Sequence, residues 1–207
     1  MLADLTIKEY LAKTAGDEAV PAGGCAAAMG AALAASLTRK IAKLIASRMD
    51  IGEQKIQMES LADNMGALSD EFTHCIDADA KAYQELMAAH KMPSKTEEEK
   101  VLRDEQIQKN TLIVAMVPFD VAEMAMRMMD YIAEVAKLAD KNLLSDICTA
   151  MFFARSAALS GLQTTRTNLP SLKSKNVVVD LTIKSSEIEK QAVTKERELL
   201  DWIKSSN

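Results

Sequence analysis

Aromatic residues make up only 4% of the 207-residue chain, beside 7 glycines and 4 prolines. That leaves little of the material from which strands and their turns are built, and argues against a strand-rich fold. Two histidines supply little for the usual catalytic triads, and no GxSxG, HExxH, Walker or Rossmann pattern is present. The three cysteines, Cys25, Cys75 and Cys148, are an odd number, lie far apart and form no Cys-x-x-Cys, which excludes a disulfide framework and fits a reducing, cytoplasmic setting. Basic residues, 25 against 30 acidic ones, leave a net charge of -5, which excludes a mainly electrostatic nucleic-acid binder. Met1 to Thr6 lacks the basic and apolar regions of a signal sequence, and the uncharged run from Cys25 to Thr38 is too short to cross a bilayer. A soluble protein without a membrane partner is expected.

The chain is instead 48% hydrophobic with 13 methionines, a composition for long helices packed through Ala, Leu, Ile and Met. Its length fits one domain over residues 1–207. The organising stretch is Val20-Pro21-Ala22-Gly23-Gly24-Cys25, which feeds into a helix of small residues as far as Leu37. Gly23 and Gly24 allow conformations closed to residues with a Cβ, and the bare amides at the helix start suit a carboxylate, a phosphate or a carbonyl oxygen. A tight turn before a core helix is the plainer alternative.

Periodicity predicts a short first helix capped by Asp4 or Thr6, then a helix from about Cys25 to Met49. A third runs from about Ile56 to His90, either very long or bent near Gly66. A fourth starts at Thr96 with an acidic first turn and is punctuated by Pro118; a fifth follows from Phe119 to about Asp140, and a sixth from Leu143 to about Leu162. Thr164 to Pro170 reads as irregular, Val177 to Val179 as a short extended piece, and Ile183 to Ile203 as an amphipathic terminal helix. The expected fold is all-α, a bundle of about seven to eight helices around a buried Ala-rich helix.

Glu71-Phe72-Thr73-His74 matches the Glu-x-x-His spacing of di-iron bundles, but no second such motif exists, so exposed helix residues are expected and no metal site is assigned. The remaining chemistry lies in Asp79, Asp120 and Asp146, carboxylates in apolar settings, of which solvated mid-helix groups are the commoner kind. Arg39, Lys91, Arg103 and Arg155 are candidate anion holders or plain surface charges, the first three expected to form a basic patch.

Together these stretches resemble the cyclodeaminase/cyclohydrolase family, which comprises the C-terminal domain of formiminotransferase-cyclodeaminase and the stand-alone bacterial methenyltetrahydrofolate cyclohydrolases. Pro21-Ala22-Gly23-Gly24-Cys25 is similar to the family's Pro-Gly-Gly-Gly-Ser, and Asp79-Ala80-Lys81-Ala82-Tyr83 with Met92-Pro93 to its Asp-x-x-Ala-Tyr/Phe element and Pro-Lys loop. Arg103 to Gln108 with Val117-Pro118, then Asn142 with Ser145-Asp146, then Asn168-Leu169 resemble the blocks that follow. Ala22, Cys25, Lys141 and Thr164 depart from the pattern.

The resemblance implies an all-helical homodimer with a folate site near the subunit interface, acting on a tetrahydrofolate derivative as substrate with no metal or redox cofactor. It implies Asp79 and Asp146 as catalytic residues brought to one pocket, and Gly23, Gly24, Cys25, Tyr83, Lys91, Arg103, Asn142 and Asn168 as substrate-binding ones. The expected activity is that of a methenyltetrahydrofolate cyclohydrolase, which hydrolyses 5,10-methenyltetrahydrofolate to 10-formyltetrahydrofolate. A formimidoyltetrahydrofolate cyclodeaminase, which releases ammonia, and a non-catalytic scaffold of the same fold are the alternatives.

Overall fold

The computed structural model describes residues 1–205, and over them it contains six α-helices, three short 3-10 turns and no strand. The helices are α1 (Ile7–Thr14), α2 (Gly23–Ser47), α3 (Glu53–His90), α4 (Glu97–Lys137), α5 (Leu144–Asn168) and α6 (Lys175–Ser205). Two start at capping boxes: in α1 Thr6 accepts from the Glu9 amide while Glu9 accepts from that of Thr6, and in α4 Thr96 and Glu99 do the same. Of the two caps expected for α1, Thr6 is the one used.

The count of seven to eight helices is too high, because two expected breaks do not occur. α3 runs without interruption through Gly66, whose missing side chain makes room for a neighbour rather than for a bend: a Cβ there would stand 2.8 Å from Cζ of Arg39. α4 runs straight through Pro118, which is buried inside it. A proline inside a helix forfeits one ladder hydrogen bond and typically costs about 3 kcal/mol; here tertiary packing offsets it. α5 closes on this turn at Gly161, where a Cβ would lie 2.5 Å from the Pro118 carbonyl oxygen, and the buried Thr165 hydroxyl donates to the carbonyl of Ala115 at 3.1 Å.

Two irregular segments are also corrected. Thr164 to Asn168 continues α5, with the hydroxyls of Thr164, Thr165 and Thr167 each donating to the carbonyl four residues back. Such back-bonding satisfies polar side chains inside a helix. Only the 3-10 turn Leu169–Ser171, with Pro170, ends the run. Val177 to Val179 belongs to α6, where Val177 and Val178 pack against the core; their β-preference is weak beside that burial.

Helices α3 and α5 run antiparallel to α2, and α4 runs antiparallel to both and so parallel to α2. Gly24 faces Asp79 and Arg39 faces Gly66 across α2 and α3, while Gly23 faces Thr164 and Lys40 pairs with Asp146 across α2 and α5. α2 packs against α3, α4 and α5, and Ala28, Ala31, Ala34, Ala35 and Ala42 on it are wholly buried. Around it Phe72, Met58, Met65, Met128, Ile132, Met151 and Leu162 fill the interior. Residues Lys141–Ser171 are long and apolar enough to cross a membrane, but here α5 is a packed helix against α2, α4 and α6.

The α4–α5 approach gives a stability prediction. Gly161→Ala forces a methyl group onto backbone and should destabilise by about 1–3 kcal/mol in urea unfolding, whereas Gly30→Ala, whose Cβ would sit 3.9 Å from Phe153, should be neutral or stabilising. Equal effects of the two changes would contradict the close approach at Pro118.

Candidate active site

The residue before α2 is Ala22, in extended conformation with φ -124°, and it has no side-chain acceptor for the first amides of the helix. Asp79, from α3, takes that role. Its Oδ2 accepts from the Cys25 thiol at 3.2 Å, and the carboxylate accepts from the Cys25 backbone amide as well. The approach is possible only because residue 24 is glycine: a Cβ would stand 2.5 Å from Cγ of Asp79. No glycine has a positive φ among the described residues, so Gly23 and Gly24 serve by leaving space rather than by adopting a special conformation. The amides expected to be bare are, at Cys25, already turned to an internal carboxylate.

Asp79 is half-buried, and no lysine or arginine among the described residues pairs with it. Burial pushes its carboxyl above the ordinary value, opposed by the two hydrogen bonds from Cys25. The same burial pushes the Cys25 thiol up to about 12, with the Asp79 charge adding to it, so the thiol stays protonated at neutral pH and acts as a donor. The Tyr10 phenol of α1 is likewise pushed up to about 12, first by burial and then by Cys25, Asp79 and Asp77. Its hydroxyl is buried with no hydrogen-bond partner. Cys75, one turn before Asp79, is pushed up to about 11 by burial and by Glu71, Asp120 and Asp79. The site is thus a poorly solvated carboxyl among neutral donors, suited to holding or moving a proton.

Several expected site residues gather here. Gly23 is exposed beside Thr164, at 3.5 Å from where its Cβ would be, and Asn168 donates to the Thr164 carbonyl at 2.9 Å. Tyr83 lies one turn past Asp79 and packs on the core. Thr164, seen in the sequence only as a departure, and the Tyr10 hydroxyl were not expected as site groups; a burial pattern cannot reveal that a hydroxyl is unpaired.

Others do not gather. Asp146 is bound by Lys40 at 3.5 Å, about 24 Å along α2 from Gly24 at 1.5 Å per residue. Asn142 is exposed in the nearby turn Lys141–Leu143. The single pocket expected for Asp79 and Asp146 is therefore absent within one chain, because α5 runs antiparallel to α2 and puts its start at the far end. The expected basic patch also divides. Arg103 donates to the His90 carbonyl at 2.8 Å, capping the end of α3 beside the exposed Lys91, whereas Arg39 lies over Gly66, roughly 36 Å back along the same helix. Asp120 is exposed on α4, and Glu71 and His74 are both exposed on α3.

The family model described as formiminotransferase-cyclodeaminase matches residues 6–187. The chain belongs to that family. Curated relatives include the formimidoyltransferase-cyclodeaminase of Rattus norvegicus, 28% identical over 72% of this chain and 28% of the rat protein, so the match spans little more than a quarter of that protein's length. The methenyltetrahydrofolate cyclohydrolase of Methylorubrum extorquens is 28% identical over 77% of this chain and 79% of its own. A crystal structure of formiminotetrahydrofolate cyclodeaminase from Thermotoga maritima superposes with a TM-score of 0.85 over 99% of this chain and 98% of that one, at 20% identity, which is a likeness of fold.

The buried carboxyl predicts a pH-dependent stability. A raised native value means that Asp79 contributes most below the ordinary carboxylate range and that this contribution is lost as pH rises through the native value. Asp79→Asn, neutral throughout, should therefore raise Tm at pH 7 relative to the unmodified protein, and the gain should shrink toward zero in acid. A gain that is absent at pH 7, or equal at every pH, would contradict the burial of an ionisable group there.

Proposed function

We propose that the protein is a methenyltetrahydrofolate cyclohydrolase with Asp79 as its proton-transfer group. The observation that carries the reading is the Asp79 carboxyl, held over Gly24 without a cation partner, in a chain of this family. Water adds to the cationic methenyl carbon that bridges N5 and N10. The Asp79 carboxylate stabilises that positive charge and accepts a proton from the attacking water. The adduct loses its hydroxyl proton to solvent as the bond to N5 breaks, N5 takes up a proton returned by the carboxyl, and 10-formyltetrahydrofolate is released with net release of one proton. Neither this reaction nor cyclodeamination calls for a metal or a redox cofactor.

Cyclohydrolysis is preferred because the Methylorubrum relative is matched over most of its own length, whereas the rat protein is matched over 28% of its length. The runner-up, formimidoyltetrahydrofolate cyclodeaminase, is favoured by the likeness to the Thermotoga structure. There the same carboxyl would protonate the departing ammonia. A homodimer is part of the proposal: Leu33, Phe152 and Phe153 are exposed, and Phe153 lies over Gly30 of α2. Asp146 and Asn142 enter the site only if a second subunit brings its α5 start to the Asp79 of the first.

Absorbance of the methenyl chromophore, with 5,10-methenyl- and 5-formiminotetrahydrofolate supplied separately and the uncatalysed rate subtracted, separates the two activities. Loss of the chromophore from the first substrate is expected; formation of it from the second would move the assignment to cyclodeaminase. Asp79→Asn should lower kcat/KM by at least about 10²-fold. A folded variant that keeps more than roughly a third of the turnover would remove Asp79 from the chemistry.

A further inference from the structure

Cys25 opens the first turn of α2, and the structure gives its thiol one partner outside its own helix. The side chain is wholly buried at the start of α2, and its sulfur lies 3.2 Å from Oδ2 of Asp79. The thiol is not available as a nucleophile, since burial and the neighbouring carboxylate keep it protonated. On another helix the acceptor of its proton is the carboxylate itself.

We infer that Cys25 is a positioning residue: its thiol donates to Oδ2, holds the Asp79 carboxyl over Gly24, and tunes how readily that carboxyl gives up its proton. This rests on the reading of Asp79 as the proton-transfer group. A thiol is a weaker donor than a hydroxyl. It therefore steadies the carboxylate less than serine would and leaves the buried carboxyl with a higher proton affinity. The titratable groups facing this pair are few. Tyr10 comes from α1, Asp77 and Cys75 precede Asp79 on α3, and Glu71 of α3 and Asp120 of α4 bear on Cys75. From α5 the facing group is the neutral Thr164 beside Gly23. None is a cation, so a single hydrogen-bond donor has unusual leverage over the carboxyl.

The two substitutions at this position should act with opposite sign. Cys25→Ala removes a donor that favours the ionised form, so the acid limb of the kcat/KM profile should move to higher pH by roughly half a unit to a unit. Cys25→Ser supplies a stronger donor in nearly the same volume, and the limb should move to lower pH. A purely structural role would change stability and leave the limb in place. The Asp79 carboxyl is also titrated directly, by its carbon resonance in protein labelled at aspartate, in the unmodified chain and both variants; this needs no turnover. Shifts of opposite sign in the resonance support the inference even where Asp79→Asn retains activity, an outcome that would sink the catalytic reading alone. If Asp79→Asn is inactive while both Cys25 variants titrate within about 0.2 units of the unmodified protein, the inference is overturned. Should Cys25→Ala fail to fold, Cys25→Ser decides the matter, and an unmoved or upward shift defeats it.

Discussion

A carboxylate seated on the first turn of a neighbouring helix is the contact on which this molecule is arranged. α2 begins after an alanine that cannot cap it, so its first amides need an acceptor from elsewhere. Asp79 reaches the amide and thiol of Cys25 across the α2–α3 interface through the gap left by Gly24. The contact fixes the register of the two helices at one end, and Arg39 over Gly66 fixes it farther along. Between these points α2 presents wholly buried alanines, and short side chains let α3 and α5 approach it along most of its length. One end of the bundle then collects the start of α2, the later turns of α3 and the end of α5.

The same contact carries a conflict between stability and chemistry. The carboxyl is desolvated without a cation beside it, and the donors it does have are a thiol and a backbone amide. A group held this way is costly in its charged form, which is the condition that brings a carboxyl's proton affinity toward working pH. The phenol of Tyr10, buried and unpaired in the same region, is a second place where polar groups are left incompletely satisfied. The surface pairs elsewhere, such as Arg48 with Asp140 and Lys184 with Asp180, are exposed and contribute little by comparison.

Membership of the family and the fold it shares agree with this geometry without choosing a reaction. Cyclohydrolysis and cyclodeamination meet at the same methenyl species, and each asks for a carboxyl able to stabilise a cation and pass a proton. The positions where this chain departs from the family pattern are informative because of where they lie. Ala22 precedes α2, Cys25 holds Asp79, and Thr164 stands beside Gly23, so three of the four departures lie at the start of α2.

The helical class, the buried Ala-rich helix, the Thr96 cap and the family were legible in the sequence, because these rest on composition, on the 3.6-residue period and on local motifs, whereas for α1 the sequence left Asp4 and Thr6 as alternative caps. It also singled out Gly24, Cys25 and Asp79, though for separate reasons. Tertiary structure alone decided that these three meet, that Asp146 stands at the other end of α2 with Lys40, and that Arg103 caps α3 away from Arg39. It likewise decided that α4 passes through Pro118 and that Thr164 to Asn168 stays helical. Propensity is a weak local preference, worth at most a few kcal/mol even for proline. Burial against Gly161 and the hydroxyl of Thr165 outweighs it, and the antiparallel packing of long helices, which no short window of sequence records, sets which distant residues become neighbours.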